Sequence, residues 1–141
     1  MVREGLACIE EKLHVKHIFG QKVDPVKVDL RPFEPGLRLA SLLTKEEEAK
    51  LDLTDAIAEF TRPTYRHHFG KTWEIFTFLT AGSIHYDVDG ISWQIPYEKG
   101  TTVIIPPPVI RKIAPYTASP LLAHIIGRPK YDIRDEIRDD T

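Results

Sequence analysis

The residues best suited to chemistry lie in one stretch, residues 63–115. Its first half carries the adjacent histidines His67 and His68, followed by Glu74. Its second half carries the basic pair Arg111 and Lys112. Imidazoles bind metal ions or exchange protons near neutral pH, and carboxylates do both as well. The residue types alone therefore predict a metal site or an acid–base site, and they leave both alternatives open.

Glu74 lies in the run WEIFTFL, whose aromatic and β-branched residues predict a strand over Trp73–Leu79. Alternation along a strand places Glu74 on the same face as Phe76 and Phe78. A carboxylate buried without a partner costs several kcal/mol. We therefore expect Glu74 to face a cavity or a charged partner.

The remaining histidines and the cysteine give weaker signals. His85 falls on the polar face of its strand and is predicted to face solvent. His124 falls on an apolar face, where a histidine held by one hydrogen bond is favoured over a functional role. His14 and His17 lack a visible third ligand and are predicted to be surface residues. Cys8, without an identifiable histidine partner, is expected to be a small buried side chain.

Length and composition restrict the class of protein. The chain has 141 residues, 42% hydrophobic and 28% charged, with a formal net charge of −2. This balance is typical of one soluble domain with its own core and gives no reason to expect a nucleic acid or membrane partner. A single cysteine excludes an intrachain disulfide, and the N-terminus lacks an apolar signal core. We predict a cytoplasmic protein.

Short strands with regular turn signals dominate the pattern. They predict an all-β sandwich or barrel. The elements predicted before the barrel are a helix over about Glu4–Leu13, a strand Val26–Leu30, a turn Pro32–Gly36, a strand Leu37–Leu43 and a capped helix Thr44–Leu51. Those predicted within it are strands over Leu53–Phe60, Trp73–Leu79, Ser83–Val88 (with a hairpin at Asp89-Gly90), Ile91–Tyr97, Thr101–Ile105, Val109–Ala114 and Leu121–Ile126.

The central stretch resembles the two sequence motifs of the cupin family, whose members are small jelly-roll barrels. Glu74 and Gly82 fit the first motif, and Gly100 and Pro106 fit the opening of the second. The resemblance covers residues 53–136. It implies an all-β, cupin-like double-stranded β-helix within a single domain over residues 1–141. Residues 53–136 form the barrel core, and residues 1–52 form an N-terminal extension of strands with one or two short helices.

The same motifs imply where a metal would bind, and here the chain departs from them. In the family three histidines and a glutamate hold the ion. With His68 aligned to the second histidine, Arg66 occupies the first position, Arg111 occupies the last, and the spacing from His68 to Glu74 is one residue too long. Arginine is cationic and cannot ligate a metal. The resemblance therefore implies no tightly bound cofactor. A divalent metal (Fe, Mn, Ni or Zn) on His67, His68 and Glu74 is the alternative.

The replaced positions suggest an anion site. Arg66 and Arg111 could bind a carboxylate or phosphate, or they could instead neutralise Glu74 in a structural ion pair. A ligand cavity lined by Phe76, Phe78, Tyr86, Trp93 and Ile105 is predicted, although these side chains could equally fill the barrel as core.

Three functions follow as hypotheses. The first is an atypical cupin that binds a small anionic molecule and acts as a metal-independent isomerase, epimerase or lyase, with His68 or Glu74 as general base. The second is a metal-dependent oxygenase or decarboxylase. The third is a non-catalytic binding or oligomerisation module. We also expect a homodimer through the strands around Val26–Leu43.

Overall fold

The fold is known from a computed structural model, which describes residues 15–16, 22–25, 27–116 and 119–138. Its strands are β1 Val15–Lys16, β2 Lys22–Val23, β3 Arg31–Glu34, β4 Leu37–Ser41, β5 Thr54–Phe60, β6 His67–Phe69, β7 Trp73–Phe78, β8 Gly82–Val88, β9 Ile91–Tyr97, β10 Thr102–Ile105, β11 Ile110–Pro115, β12 Leu121–Arg128 and β13 Glu136–Arg138; the helix α1 is Lys45–Leu51. The predicted helix at Glu4–Leu13, like Cys8, His14 and His17, lies outside the described residues.

Two antiparallel sheets form the body of the molecule. One has the strand order β10-β7-β12-β5-β4-β3, and the other has the order β13-β6-β11-β8-β9. Most sheet neighbours are distant in sequence, because successive strands cross between the sheets as in a jelly roll. The predicted all-β, cupin-like class is confirmed.

The core lies between the two sheets and follows the period of two along each strand. From the six-stranded sheet, Phe76 and Phe78 of β7 are fully buried, and Leu121 of β12 joins them. From the five-stranded sheet, Ile84 and Ile113 complete the cluster. Each such side chain stabilises the fold by about 1.5–3 kcal/mol through burial. The faces predicted for β7 and β8 are confirmed.

The N-terminal extension differs from prediction. Residues 27–30 form no strand. Val28 and Leu30 instead pack on Ile57 and Leu79, on the outer face of the six-stranded sheet. An extended segment pressed on an apolar surface shows the same alternation as a strand, and the sequence pattern cannot distinguish the two.

The predicted cap of α1 and the predicted β8–β9 hairpin agree with the structure. Thr44 caps α1, and its side chain accepts a hydrogen bond from the Glu47 backbone while the Glu47 carboxylate accepts one from the Thr44 backbone. Asp89 and Gly90 both have positive φ, 52° and 78°, as the β8–β9 hairpin requires. The predicted turn at Pro32–Gly36 is shorter, because β3 continues to Glu34. No helix in the described part of the chain is long and apolar enough to cross a membrane.

The C-terminal segment is tied to the β6–β7 connection through Asp135. Its Oδ2 accepts hydrogen bonds from the Thr72 hydroxyl at 2.8 Å and from the backbone N–H groups of Thr72 and Lys71 at 3.1 and 3.2 Å. The Gly70 N–H donates to the Asp135 carbonyl at 3.0 Å. These bonds fix the approach to β13, which forms one edge of the site described below.

Replacing Asp135 by asparagine should make stability depend differently on pH. Burial acts to raise the pKa of Asp135, but the hydrogen bonds from Thr72, Lys71 and Gly70 outweigh it and lower the pKa below its ordinary value of 3.8. A carboxylate with a lowered pKa stabilises the fold above its unfolded pKa and loses this contribution as the pH falls through the folded pKa. Urea unfolding of wild type and Asp135→Asn should therefore differ most above pH 3.8 and converge below it. A difference independent of pH would contradict this assignment.

Candidate functional site

A cavity of about 260 Å³ opens between the two sheets, on the side where their edge strands β3 and β13 approach each other. Most of its walls are aliphatic or aromatic. The apolar lining residues are Phe33, Leu37, Leu39, Ala56, Phe60, Phe69, Ile113 and Ile125. The titratable ones are Glu34, Glu48, Tyr65, His67, Glu74, Tyr131, Glu136 and Arg138. An apolar cavity with a few polar groups is the usual form of a small-molecule site.

His67 is the histidine that faces this cavity. It lies on β6 in register with Arg111 of β11 and is 8% exposed. Its Nδ1 is 2.8 Å from the carbonyl oxygen of Tyr65. A carbonyl only accepts, so Nδ1 must carry the proton and donate it. In the neutral ring Nε2 therefore holds the lone pair, and no described residue makes a hydrogen bond to it.

Glu74 faces the same cavity and is held by Arg111. The Arg111 Nη2 lies 2.5 Å from the Glu74 Oε1, and Nη1 donates to the Val109 carbonyl at 2.8 Å. The guanidinium is completely buried, and its Cζ lies 4.8 Å from the centre of the Phe69 ring. The pair joins β7 of one sheet to β11 of the other. Of the two interpretations of Arg111, the ion pair with Glu74 is the arrangement found.

A second ion pair lies at the outer edge of the cavity, between β3 and β13. Arg138 of β13 donates to both carboxylate oxygens of Glu34 on β3, at 3.0 and 3.2 Å. It also contacts Glu136 at 3.2 Å, and its Cζ lies 4.9 Å from the centre of the Tyr65 ring. The edges of the two sheets are thus joined by a charged bridge, and the positive charge of Arg138 is already compensated.

Tyr131 completes this wall. Its ring packs edge-to-face on Phe33 and Phe69, with centroids 5.6 and 6.3 Å apart. Its hydroxyl donates to the Glu136 carboxylate at 3.1 Å. Burial, together with the charge and hydrogen bond of Glu136, raises the pKa of Tyr131 to about 12. The hydroxyl is therefore a neutral donor at physiological pH.

Arg66 and His68 do not reach the cavity, so the placement of both at the barrel mouth is wrong. They flank His67, the first residue of β6, and both point to the face opposite to it. The Arg66 Nη1 lies 3.3 Å from Asp87 on the outer side of β8, and His68 is in register with Ile137 of β13. The cause is a register error of one residue, which inverts every side chain on a strand. The long spacing from His68 to Glu74 was the available signal.

The aromatic residues predicted to bind the ligand do not line the cavity either. Phe76, Phe78 and Ile105 are fully buried in the core, as the alternative interpretation held. The Tyr86 hydroxyl bonds the Tyr97 hydroxyl at 2.7 Å, and Trp93 lies against Tyr86 with 41% of its surface exposed. The cavity is instead bounded by β3, β4, β5, β6, β12 and the C-terminal segment, with Glu74 of β7 and Ile113 of β11 also in its wall.

The two weaker histidine predictions agree with the structure. His85 is exposed. His124 is partly buried, and its Nε2 lies 2.5 Å from Oδ1 of the fully buried Asp55 on β5. The sequence did not indicate the other cavity groups, Tyr65, Tyr131, Glu34 and Arg138, because most of their contacts join residues far apart in the chain.

A divalent metal does not fit the residues of this site. In the described part of the chain there is no cluster of three or more His, Cys, Asp or Glu side chains able to hold an ion. His67 and Glu74 are two ligands at most, and the buried guanidinium of Arg111 bonds the same carboxylate. His68 points away, so the predicted set His67, His68 and Glu74 cannot converge on one ion.

Removing one member of the Arg111–Glu74 pair should destabilise the fold strongly. Arg111→Met leaves Glu74 without its counter-charge, which typically costs about 3–5 kcal/mol. The double variant Arg111→Met/Glu74→Leu should recover a large part of this loss, since neither charge then remains. Chemical unfolding of the wild type, both single variants and the double variant gives the coupling energy. Additive effects would show that the two residues do not depend on each other.

Comparison with known proteins identifies the fold. No known protein-family model matches the sequence, and no curated protein is detectably similar to it. Solved structures do match. Oxalate decarboxylase from Lactobacillus farciminis has a TM-score of 0.61 and 16% identity over 84% of this chain and 35% of its own.

Two further structures agree. The capsular polysaccharide assembling protein CapF from Staphylococcus aureus has a TM-score of 0.64 and 10% identity over 82% of this chain and 33% of its own. KdgF from Halomonas sp. has a TM-score of 0.54 and 16% identity over 76% of this chain and 91% of its own. The chain thus spans about a third of the first two structures. These neighbours are cupin-fold proteins, so the resemblance seen in the motifs is confirmed and the chain has a cupin-like fold.

Proposed function

We propose that the protein binds a small molecule in the cavity between the sheets and transfers a proton to or from it through His67, without a metal. The reaction would be of the isomerase, epimerase or lyase kind. The observation that carries the proposal is the geometry of His67, whose Nδ1–H is committed to the Tyr65 carbonyl while Nε2 is left for a ligand. His67 thus takes the role of general base that the sequence analysis gave to His68 or Glu74.

The surroundings of His67 suit proton transfer. A general base must carry a lone pair within hydrogen-bond reach of the ligand. The Tyr65 carbonyl fixes the tautomer and the orientation of the ring, so that a ligand meets the same nitrogen each time. Phe69 packs edge-on against the imidazole, with centroids 5.7 Å apart, and holds it in place. The apolar walls keep water from competing for Nε2.

Glu74 supplies the second polar group. Its Oε1 is engaged by Arg111, and the carboxylate lines the cavity. It can accept a hydrogen bond from a hydroxyl or an enol of the ligand and so position the C–H group from which His67 removes the proton. Arg111 acts through Glu74 as a positioning residue.

The part of the ligand inside the cavity should be small and uncharged. The volume of about 260 Å³ falls just below the usual range of ligand sites, roughly 300–1,000 Å³. Arg111 and Arg138 both already face carboxylates. Another anion placed beside them would compete with Glu74 or Glu34. An anionic group on the ligand would therefore have to lie outside the cavity.

Metal should not contribute to this site. Manganese, zinc, iron or nickel added at micromolar concentration is expected to leave the melting temperature unchanged, because two ligands beside a buried arginine hold an ion weakly. Elemental analysis of the purified protein provides the second readout. Stoichiometric metal that is lost in His67→Gln would refute the metal-independent proposal and favour the alternative of a metal-dependent oxygenase or decarboxylase.

His67→Gln should strongly slow proton exchange while sparing the fold. A test molecule is phenylacetone, which has an apolar ring and exchangeable hydrogens beside a carbonyl. In D₂O the wild-type protein should accelerate deuterium incorporation, followed by NMR, and His67→Gln should slow the protein-dependent rate by about 100-fold, since a general base contributes roughly 10²–10⁴-fold.

His85→Gln is the matched control, because it replaces an exposed histidine on the outer face of β8 and should leave the exchange rate unchanged. Equal rates for His67→Gln and the wild type would remove His67 from the chemistry. Saturable binding of phenylacetone with no acceleration of exchange would favour a non-catalytic binding module.

A further inference from the structure

We propose that Arg62 and Lys112 form a subsite for the anionic group of the ligand, a carboxylate or a phosphate ester, beside the cavity that holds its apolar part. The inference rests on the proposed function, since it names the class of ligand that the same site takes. It differs from the anion site expected from the sequence, because Arg66 and Arg111 do not take part.

The subsite is a second hollow of about 280 Å³ at the rim of the barrel. The turn between β3 and β4, the connection from β5 to β6, and β11 surround it. Glu34, Leu37, Thr64 and Tyr65 line both this hollow and the cavity, so the two spaces are neighbours with common walls. A ligand of modest length can therefore occupy both.

Arg62 is placed by the β3–β4 turn. The Thr61 N–H donates to the Gly36 carbonyl at 2.9 Å and brings the chain against the turn. The Arg62 side chain then lies directly over Gly36, where an added Cβ would be 2.3 Å from Cγ and 2.8 Å from Nε. Gly36 also has φ 82°, which favours glycine. The turn therefore both leaves room for Arg62 and restricts its position.

Lys112 approaches from β11. Its neighbours Arg111 and Ile113 point into the barrel, so Lys112 points outward toward the hollow, where it is partly buried. Neither Lys112 nor Arg62 has a carboxylate partner within the described ranges. Of the other described arginines, Arg128 also lacks one, and six have carboxylate partners, namely Arg31, Arg38, Arg66, Arg111, Arg134 and Arg138.

The charges around the hollow favour an anion. Of the described residues that line it, Glu34 is the one carboxylate, and both its oxygens accept hydrogen bonds from Arg138. Its negative charge is thus largely compensated, and the two cations Arg62 and Lys112 remain. A guanidinium binds carboxylate or phosphate through two parallel hydrogen bonds, and an ammonium adds a point charge.

The test compares phenyl phosphate with phenol by isothermal titration calorimetry at low salt. Phenol probes the cavity alone, and phenyl phosphate adds the anionic group. In the wild type, phenyl phosphate should bind about tenfold more tightly than phenol, and Arg62→Gln/Lys112→Gln should lose this gain while binding phenol as before. Each single variant should lose part of it. The matched control, Lys50→Gln/Lys99→Gln, removes the same charge from two exposed positions and should retain the gain.

The outcomes separate the two proposals. If phenol binds and phenyl phosphate binds no more tightly, the subsite is refuted and the cavity stands. The same conclusion follows if the control variant loses as much affinity for phenyl phosphate as Arg62→Gln/Lys112→Gln does. If phenyl phosphate binds through Arg62 and Lys112 while phenol does not bind, the subsite stands and the proposed function is refuted. If neither molecule binds the wild type, both are refuted.

Discussion

The arrangement of this barrel depends on one buried ion pair, Arg111 with Glu74. Arg111 is the largest fully buried side chain in the described structure. A guanidinium removed from water must be paired, because an uncompensated buried charge costs several kcal/mol. Glu74 comes from the opposite sheet, so meeting this requirement also fixes the two sheets relative to each other. Such a pair adds little net stability compared with apolar side chains of similar size. It does disfavour other packings of the two sheets, because these would leave a buried charge unpaired.

The pair also divides the interior. On one side lie the closely packed aromatic side chains Phe76 and Phe78, and on the other lies the cavity with His67. Arg111 also makes a cation–π contact with Phe69 of β6, so this strand contacts the ion pair as well. The cavity therefore has a polar group at its inner end and a charged bridge, Arg138 with Glu34, at its outer edge. Because both arginines are neutralised, the interior suits an uncharged molecule, and positive charge remains available only at the rim.

The cupin-like fold is shared with proteins of different activity, so function must be argued from the site itself. In this chain an arginine bonded to Glu74 replaces a potential metal ligand, and a single histidine with a fixed tautomer faces the cavity. Those two features are the basis of the proposed proton transfer without a metal. Under that proposal the fold provides the place for the reaction, and three side chains on β6, β7 and β11 define its type.

The sequence by itself determined the all-β class, the faces of β7 and β8, the cap of α1 and the β8–β9 turn. These depend on residues close together in the chain, where periodicity, capping and positive φ act directly. It also placed Glu74 in the interior, since its strand alternates without interruption.

Only the tertiary structure decided that His67, not His68, faces the cavity. A one-residue difference in spacing inverts a strand, and the pairing of β6 with β11 decides which histidine faces the cavity. The tertiary structure also decided the contact of Arg138 with Glu34. These residues lie far apart in the chain, and they meet because the edges of the two sheets come together.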